Sequence, residues 1–354
     1  MFLRYSWMAL LSICGGVLVI SMTACGNSTS NQAILDPTPS PTLEAETVVS
    51  ITAQNVNQLS EAKQFDVESA TDFTWCSNGD SLCVATKDGL AVYDAGNFMV
   101  IARATGIATR LITSSPDQQT LAWVENDNIV EIWNQVTESR REIITNQESI
   151  IGLAFSPDGE TLAGSTGDMQ VVLWAVDSGT PKLSWEYPGW LVNLNYSPDG
   201  GQLVGASQNE FAIPFFDITN GVEQRRLEWT EHASPILYGA QFSPDWTKVA
   251  WVTRGTIQLM NVASGSLGDL LGHEDFINST SWSPDSKLIA TTAAGTVDGN
   301  YYPLITIWNV ESGKIIATLT NDDPLLKATF SPDGSSIAAL DSSGIIHLWT
   351  LPGN

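Results

Sequence analysis

Phe155-Ser156-Pro157-Asp158-Gly159-Glu160-Thr161-Leu162-Ala163-Gly164 reads FSPDGETLAG, and near copies return as YSPDGGQLVG from Tyr196 and FSPDGSSIAA from Phe330. Ser-Pro-Asp-Gly is turn chemistry. Proline pre-sets φ at the second turn position, aspartate bonds nearby backbone, and glycine supplies the φ > 0 that returns the chain. An aromatic residue precedes the turn and an apolar pair follows it, so each copy predicts strand, tight turn, strand. Three more copies change only the fourth residue: Ser115-Pro116-Asp117-Gln118, Ser243-Pro244-Asp245-Trp246 and Ser283-Pro284-Asp285-Ser286. A seventh, degenerate copy is Trp75-Cys76-Ser77-Asn78-Gly79. The turn-proline position, occupied by Ser77 in that copy, runs 77, 116, 157, 198, 244, 284, 332, with intervals of 39, 41, 41, 46, 40 and 48 residues.

A period near forty without helical patterning predicts an array of small sheets. About seventeen residues past each turn proline, an alternating apolar run ends on a second landmark. Trp133, Trp174, Trp308 and Trp349 fill that slot, with Tyr93, Phe216 and Met260 in the other repeats. On these two landmarks the chain resembles the WD-repeat family over about residues 55–354. The resemblance implies an all-β fold, a seven-bladed β-propeller of four-stranded antiparallel blades. The family also places Gly-His before the first strand of a blade and an aspartate in its second turn. Gly272-His273 matches the first, feeding the blade that ends at Trp308, while Asp127 and Asp168 stand six residues before Trp133 and Trp174. Asn146, Asn321, Tyr187 and Ala233 replace the histidine elsewhere. Blade stability is therefore expected to rest more on packing than on that hydrogen-bond network.

The last repeat ends just after Trp349, which leaves its blade one strand short. An unassigned strand-like segment around Glu61–Val67 precedes the first repeat and is expected to close the ring as the fourth strand of the last blade. The alternative is an open ring closed by a partner chain.

Residues 1–24 have the layout of a secretory signal: a short basic start at Arg4, an apolar run from Leu10 to Ile20, then Met22-Thr23-Ala24 before Cys25. Small residues ahead of a cysteine resemble a bacterial lipoprotein signal. That implies cleavage before Cys25 and lipidation of its thiol with a diacylglyceryl, palmitate-type anchor. An ordinary cleaved signal and an uncleaved anchor are the alternatives. Residues 25–54 begin polar, small and Pro-rich, as in Asp36-Pro37-Thr38-Pro39-Ser40-Pro41, and read as a tether. Residues 55–354 read as the propeller. The expected address is the outer face of the bacterial cell membrane, with lipid as the only membrane contact.

The formal charge of −24 disfavours nucleic-acid partners, and solubility alone also accounts for it. Cys76 and Cys83 flank the degenerate turn and are a candidate disulfide in an exported chain, with two small core residues as the alternative.

No phosphate loop, nucleophile elbow or zinc-type Cys/His spacing is present. No cofactor or metal is expected. The pairs Glu274-Asp275 and Asp322-Asp323 read as solvated loop acids rather than calcium ligands. Function then rests on what departs from the repeat. Trp185-Glu186-Tyr187-Pro188-Gly189-Trp190 puts large rings where a polar loop is expected. The stretch 295–303, with Tyr301 and Tyr302, reads as an insertion lengthening a loop on the same face. Trp185, Tyr187, Trp190, Tyr301 and Tyr302 are the candidate binding surface, against the plainer reading that these rings cover blade tops. Trp246 marks a lesser surface on the opposite face, in a slot that needs φ > 0. The expected function is a non-catalytic, monomeric protein-binding scaffold at the cell envelope. The alternative is a propeller hydrolase or lyase, or a sugar-binding module, acting on an extracellular polymer; a convergent Asp/Glu pair near the axis would favour an enzyme.

Overall fold

All the Ser-Pro-Asp turns return the chain by one device. The serine hydroxyl donates to the aspartate Oδ1, at 2.5 Å in Ser156–Asp158 and 2.6 Å in Ser243–Asp245. That Oδ1 also accepts the amide two residues on, from Glu160 at 3.0 Å and Thr247 at 3.0 Å. The serine oxygen in turn accepts the amide that opens the next strand, Thr161 N at 2.9 Å. The fourth turn residue is left-handed whatever its identity: Gly159 at φ 73°, Gly200 at 71° and Gly334 at 72°, but also Gln118 at 56°, Trp246 at 59° and Ser286 at 62°.

These coordinates come from a computed structural model. The structure describes residues 48–76, 79–106, 111–144, 149–207, 209–228, 239–253, 256–272, 276–297 and 300–353. Among them, 28 strands form seven four-stranded antiparallel sheets. In six of the sheets, strands a to d are hydrogen-bonded in sequence order, with a innermost; in the seventh, strand d comes from the N-terminus. Blades one to six occupy residues 70–105, 112–144, 150–186, 191–228, 239–272 and 279–320. Blade seven takes three strands from residues 325–350, and its outer strand is Ser60–Asp66, antiparallel to Ile345–Thr350. The expected N-terminal closure is the observed one, and it leaves no half-built blade at the seam.

Seven apolar clusters hold the blades together, each formed by two adjacent blades. Strand c of every blade sends its landmark residue into the cluster shared with the preceding blade. Trp133, Trp174, Phe216, Met260, Trp308 and Trp349 do so for blades two to seven. Tyr93 of blade one enters the cluster shared with blade seven. The second sequence landmark therefore exists because each blade packs face to face on its neighbour. Indole donors add cross-blade bonds: Trp75 Nε1 to Thr329 O at 3.3 Å and Trp282 Nε1 to Gln241 O at 3.1 Å.

Candidate functional site

The a strands surround a cavity of about 570 Å³ at the axis. Its lining mixes apolar side chains with amides and hydroxyls, including Asn193, Asn195, Gln241, Ser279 and Ser281. Four a strands carry one extra residue beside it, at Thr71, Ile151, Asn193–Leu194 and Leu326, immediately before the paired Asp72, Gly152, Asn195 and Lys327. Such bulges re-aim side chains beside a cavity. Asn193 sits at φ 51°, a conformation asparagine tolerates, and its carbonyl accepts Asn195 Nδ2 at 2.8 Å. Among the described residues, the cavity lining holds one carboxylate, Asp72, and one cation, Lys327. They are paired: Lys327 Nζ lies 2.7 Å from Asp72 Oδ1 and 2.7 Å from Phe73 O. This pair also joins blade seven to blade one.

The face that carries the b–c turns and the d–a loops holds most of the nominated rings, and the structure separates them. Trp190 is 47% exposed. Its backbone amide donates to Asn209 Oδ1 at 2.9 Å and its Nε1 to Gly167 O at 3.0 Å, so the ring is held against the blade-three turn. Tyr187 corrects the expectation of an exposed anchor. It is 3% exposed and meets Phe216 edge to face at 5.3 Å, covering the cluster between blades three and four. Trp185 lies in the outer strand Pro181–Glu186 rather than a loop. It is half-buried, 5.4 Å from Phe216, and flat against Gly221, where a Cβ would approach it to 2.7 Å.

The stretch 295–303 corrects a second expectation. It extends the two middle strands of blade six to ten residues each, Leu288–Val297 and Asn300–Asn309, paired as far as Val297 with Asn300. The insertion continues the strand pairing rather than lengthening a loop. Tyr302 is half-buried in it, and the backbone of Tyr301 pairs with Thr296; the Tyr301 side chain lies outside the described residues. On the opposite face Trp246 is half-buried, stacked on Phe242 at 4.1 Å.

Cys76 and Cys83 are joined, S–S 2.09 Å, and both are fully buried. Trp133, Trp174, Trp308 and Trp349 are buried, and Trp308 Nε1 donates to Thr291 Oγ1 at 3.1 Å. Asp127 holds the second turn of blade two at φ 65°, its carbonyl accepting Ile150 N at 2.7 Å. Asp168 accepts the Thr166 hydroxyl. His273, Glu274 and Cys25 lie outside the described residues. Among the described residues, no helix is long and apolar enough to cross a membrane, and no group of three His, Cys, Asp or Glu side chains is arranged to hold a metal.

Sequence reasoning missed one cluster. His347 of blade seven is 5% exposed and sits between Asp341 and Glu61 of the closing strand. The partner from the N-terminus lies 286 residues away, so no local signal joins them.

The WD domain, G-beta repeat family matches at residues 138–175 and 262–300, each stretch holding an outer strand and strands of the next blade. Eukaryotic translation initiation factor 3 subunit I of Scheffersomyces stipitis is 34% identical over 85 residues, 24% of this chain and 22% of its own length. WD repeat-containing protein 26 homolog of Drosophila melanogaster is 30% identical over 128 residues, 33% of this chain and 19% of its own. The chain thus spans about a fifth of the curated relatives it matches. Repeat matches, relatives and seven closed blades together support a WD-repeat propeller.

Proposed function

We propose that this propeller is a protein-binding scaffold, anchored by lipid at Cys25 to the outer face of a bacterial membrane. The observation that carries the binding role is the axial cavity. Polymer hydrolysis by two carboxylates needs both within reach of one bond, and among the described residues this cavity presents a single carboxylate, paired with Lys327. A rigid ring displaying an extended hairpin and the exposed Trp190 on one face suits protein contact instead. The anchoring half of the reading rests on the sequence of residues 1–25. Ser50 Oγ bonds Asp333 O at 3.0 Å and Ile51 N bonds Gly334 O at 2.7 Å, so the chain joins the ring on the Ser-Pro-Asp turn face.

The test is capture of the full chain from cross-linked membranes, beside a variant whose residues 296–301 are replaced by Asn-Gly. The reading expects a discrete partner with the wild type that is lost with the trimmed hairpin. Equal recovery with both chains would refute the hairpin face as the binding surface.

A further inference from the structure

The wall of the axial cavity changes character around the ring. Among the described lining residues, the side-chain amides all come from the blade-four to blade-six side: Asn193, Asn195, Gln241 and Asn278. They are interleaved there with Leu194 and Phe242. The side of blades two and three presents Leu111, Ile112 and Leu153, with the Thr113 hydroxyl as its polar side chain. In a ring of seven blades these two arcs stand across the axis from one another.

The amide arc keeps unused hydrogen-bonding groups. Asn193 and Gln241 are engaged through their backbone carbonyls, which accept Asn195 Nδ2 at 2.8 Å and Trp282 Nε1 at 3.1 Å. Among the described residues, neither of their side-chain amides has a partner in the protein. Asn193 is exposed and Gln241 half-buried, so a ligand can reach both. Asn278 Nδ2 donates to Leu325 O at 2.8 Å, which leaves its Oδ1 to accept. Ser281 Oγ accepts Phe330 N at 3.1 Å and retains its O–H to donate.

These groups select the kind of guest. The charges of the described lining, Asp72 and Lys327, meet each other at 2.7 Å. An ionic ligand would give up its water here without a free counter-charge to replace it. A wholly apolar ligand would leave the free amides unpaired. The volume of about 570 Å³ falls within the range of small-molecule sites.

We propose that the axial cavity binds a neutral saccharide of one or two rings. Each sugar hydroxyl both donates and accepts, so two neighbouring hydroxyls can answer both ends of one amide. The hydroxyl edge meets Asn193 and Gln241, with Asn278 and Ser281 beside them, while the C–H face of the ring lies on Leu111 and Leu153. The one carboxylate of the described lining is paired, so the site holds the sugar without cleaving it. This site goes beyond the scaffold reading and does not depend on the hairpin face.

Saturation-transfer NMR titrations of the full chain, in sugar-free buffer and detergent, test it with glucose, galactose, maltose and lactose. Glucosamine and glucuronate serve as charged counterparts. Gln241→Met keeps the side-chain length without the amide, and Asn193→Gly suits the left-handed backbone at φ 51°. Gln224→Met, in the outer strand Glu223–Glu228 of blade four, is the control, and melting curves confirm that all three variants fold. The expected result is saturable binding of at least one neutral sugar. It should weaken about tenfold with either cavity variant and change less than twofold with Gln224→Met. The charged sugars should bind more weakly than the neutral ones. No saturable binding of any of the four neutral sugars would overturn the proposal. Equal affinity for the charged sugars would also overturn it, as would binding that both cavity variants leave intact. None of these outcomes alters the hairpin experiment, which judges the scaffold reading separately.

Discussion

His347 Nδ1 lies 2.6 Å from Glu61 Oε1, and its Nε2 lies 2.9 Å from Asp341 Oδ2. One imidazole thus bonds the N-terminal strand to the last blade at the seam of the ring. Asp341 is 1% exposed and also accepts the amides of Ser343 and Ile345, each at 2.9 Å. The Glu61 side chain is 40% exposed. Removing His347 strips a buried carboxylate of a partner, whereas removing Glu61 breaks a bond that water can replace. His347→Ala is expected to lower unfolding free energy by about 2 kcal/mol, and Glu61→Ala by less than about 1 kcal/mol. Denaturant titration of both variants checks the order, and a larger loss for Glu61→Ala would contradict it.

Deleting residues 55–66 removes the closing strand and exposes the edge of Ile345–Thr350. Its melting temperature should fall far below that of a chain lacking residues 26–45. Equal melting temperatures would show that the seam does not depend on this strand.

Trp246→Gly sets two effects against each other. The left-handed backbone at φ 59° costs a non-glycine residue about 1–2 kcal/mol, which glycine would recover. The half-buried ring contributes about 2 kcal/mol by area and about 1 kcal/mol more by stacking on Phe242. A glycine there also costs folding entropy of about 0.5–1 kcal/mol. Packing wins, so a net loss of about 1.5–3 kcal/mol is expected in chemical denaturation. A gain in stability would show that strain dominates at this turn.

The turns carry an acid signature. The hydroxyl of Ser156, followed by the amide of Glu160, holds the Asp158 carboxyl below its ordinary 3.8. A carboxyl depressed in the folded state stabilises above the unfolded value and loses that contribution as pH falls through the folded one. Ser156→Ala should therefore cost about 1 kcal/mol at pH 7, and the gap from wild type should narrow below pH ~3.8. Melting curves from pH 7 to pH 2.5 measure it. A gap independent of pH would assign the cost to the amide of Thr161, which the same hydroxyl oxygen accepts.

The Cys76–Cys83 bond closes a short loop around the first turn. Chain-entropy reasoning assigns such a loop about 2 kcal/mol. Replacing both cysteines by alanine should lower stability by about that amount and abolish any response of the melting temperature to reductant. Wild-type protein that melts identically with and without reductant would contradict the account.

The blade count was readable because punctuation and packing repeat together. Each turn needs its serine and aspartate for local bonds, and each blade needs a large residue such as Trp174 or Trp349 for its neighbour. The site was less readable. Tyr187 lies in a stretch with the composition of a loop, and only the position of Phe216 in the next blade decides that its ring turns inward. The blade-six insertion did carry a signal. Asp298-Gly299 between Thr296-Val297 and Asn300-Tyr301 is a two-residue hairpin pattern. His347 and Glu61 meet only when the ring closes, and no spacing in the chain encodes that.

An anchored scaffold outside the membrane requires that the chain be cut and lipidated at Cys25. Intact mass of the protein extracted from membranes tests this most directly. The account predicts a chain beginning at Cys25 and heavier than its sequence by a diacylglyceryl and acyl modification, with a ring that external protease removes from whole cells. A mass that retains Met1, or an unmodified chain in the soluble fraction, would contradict it.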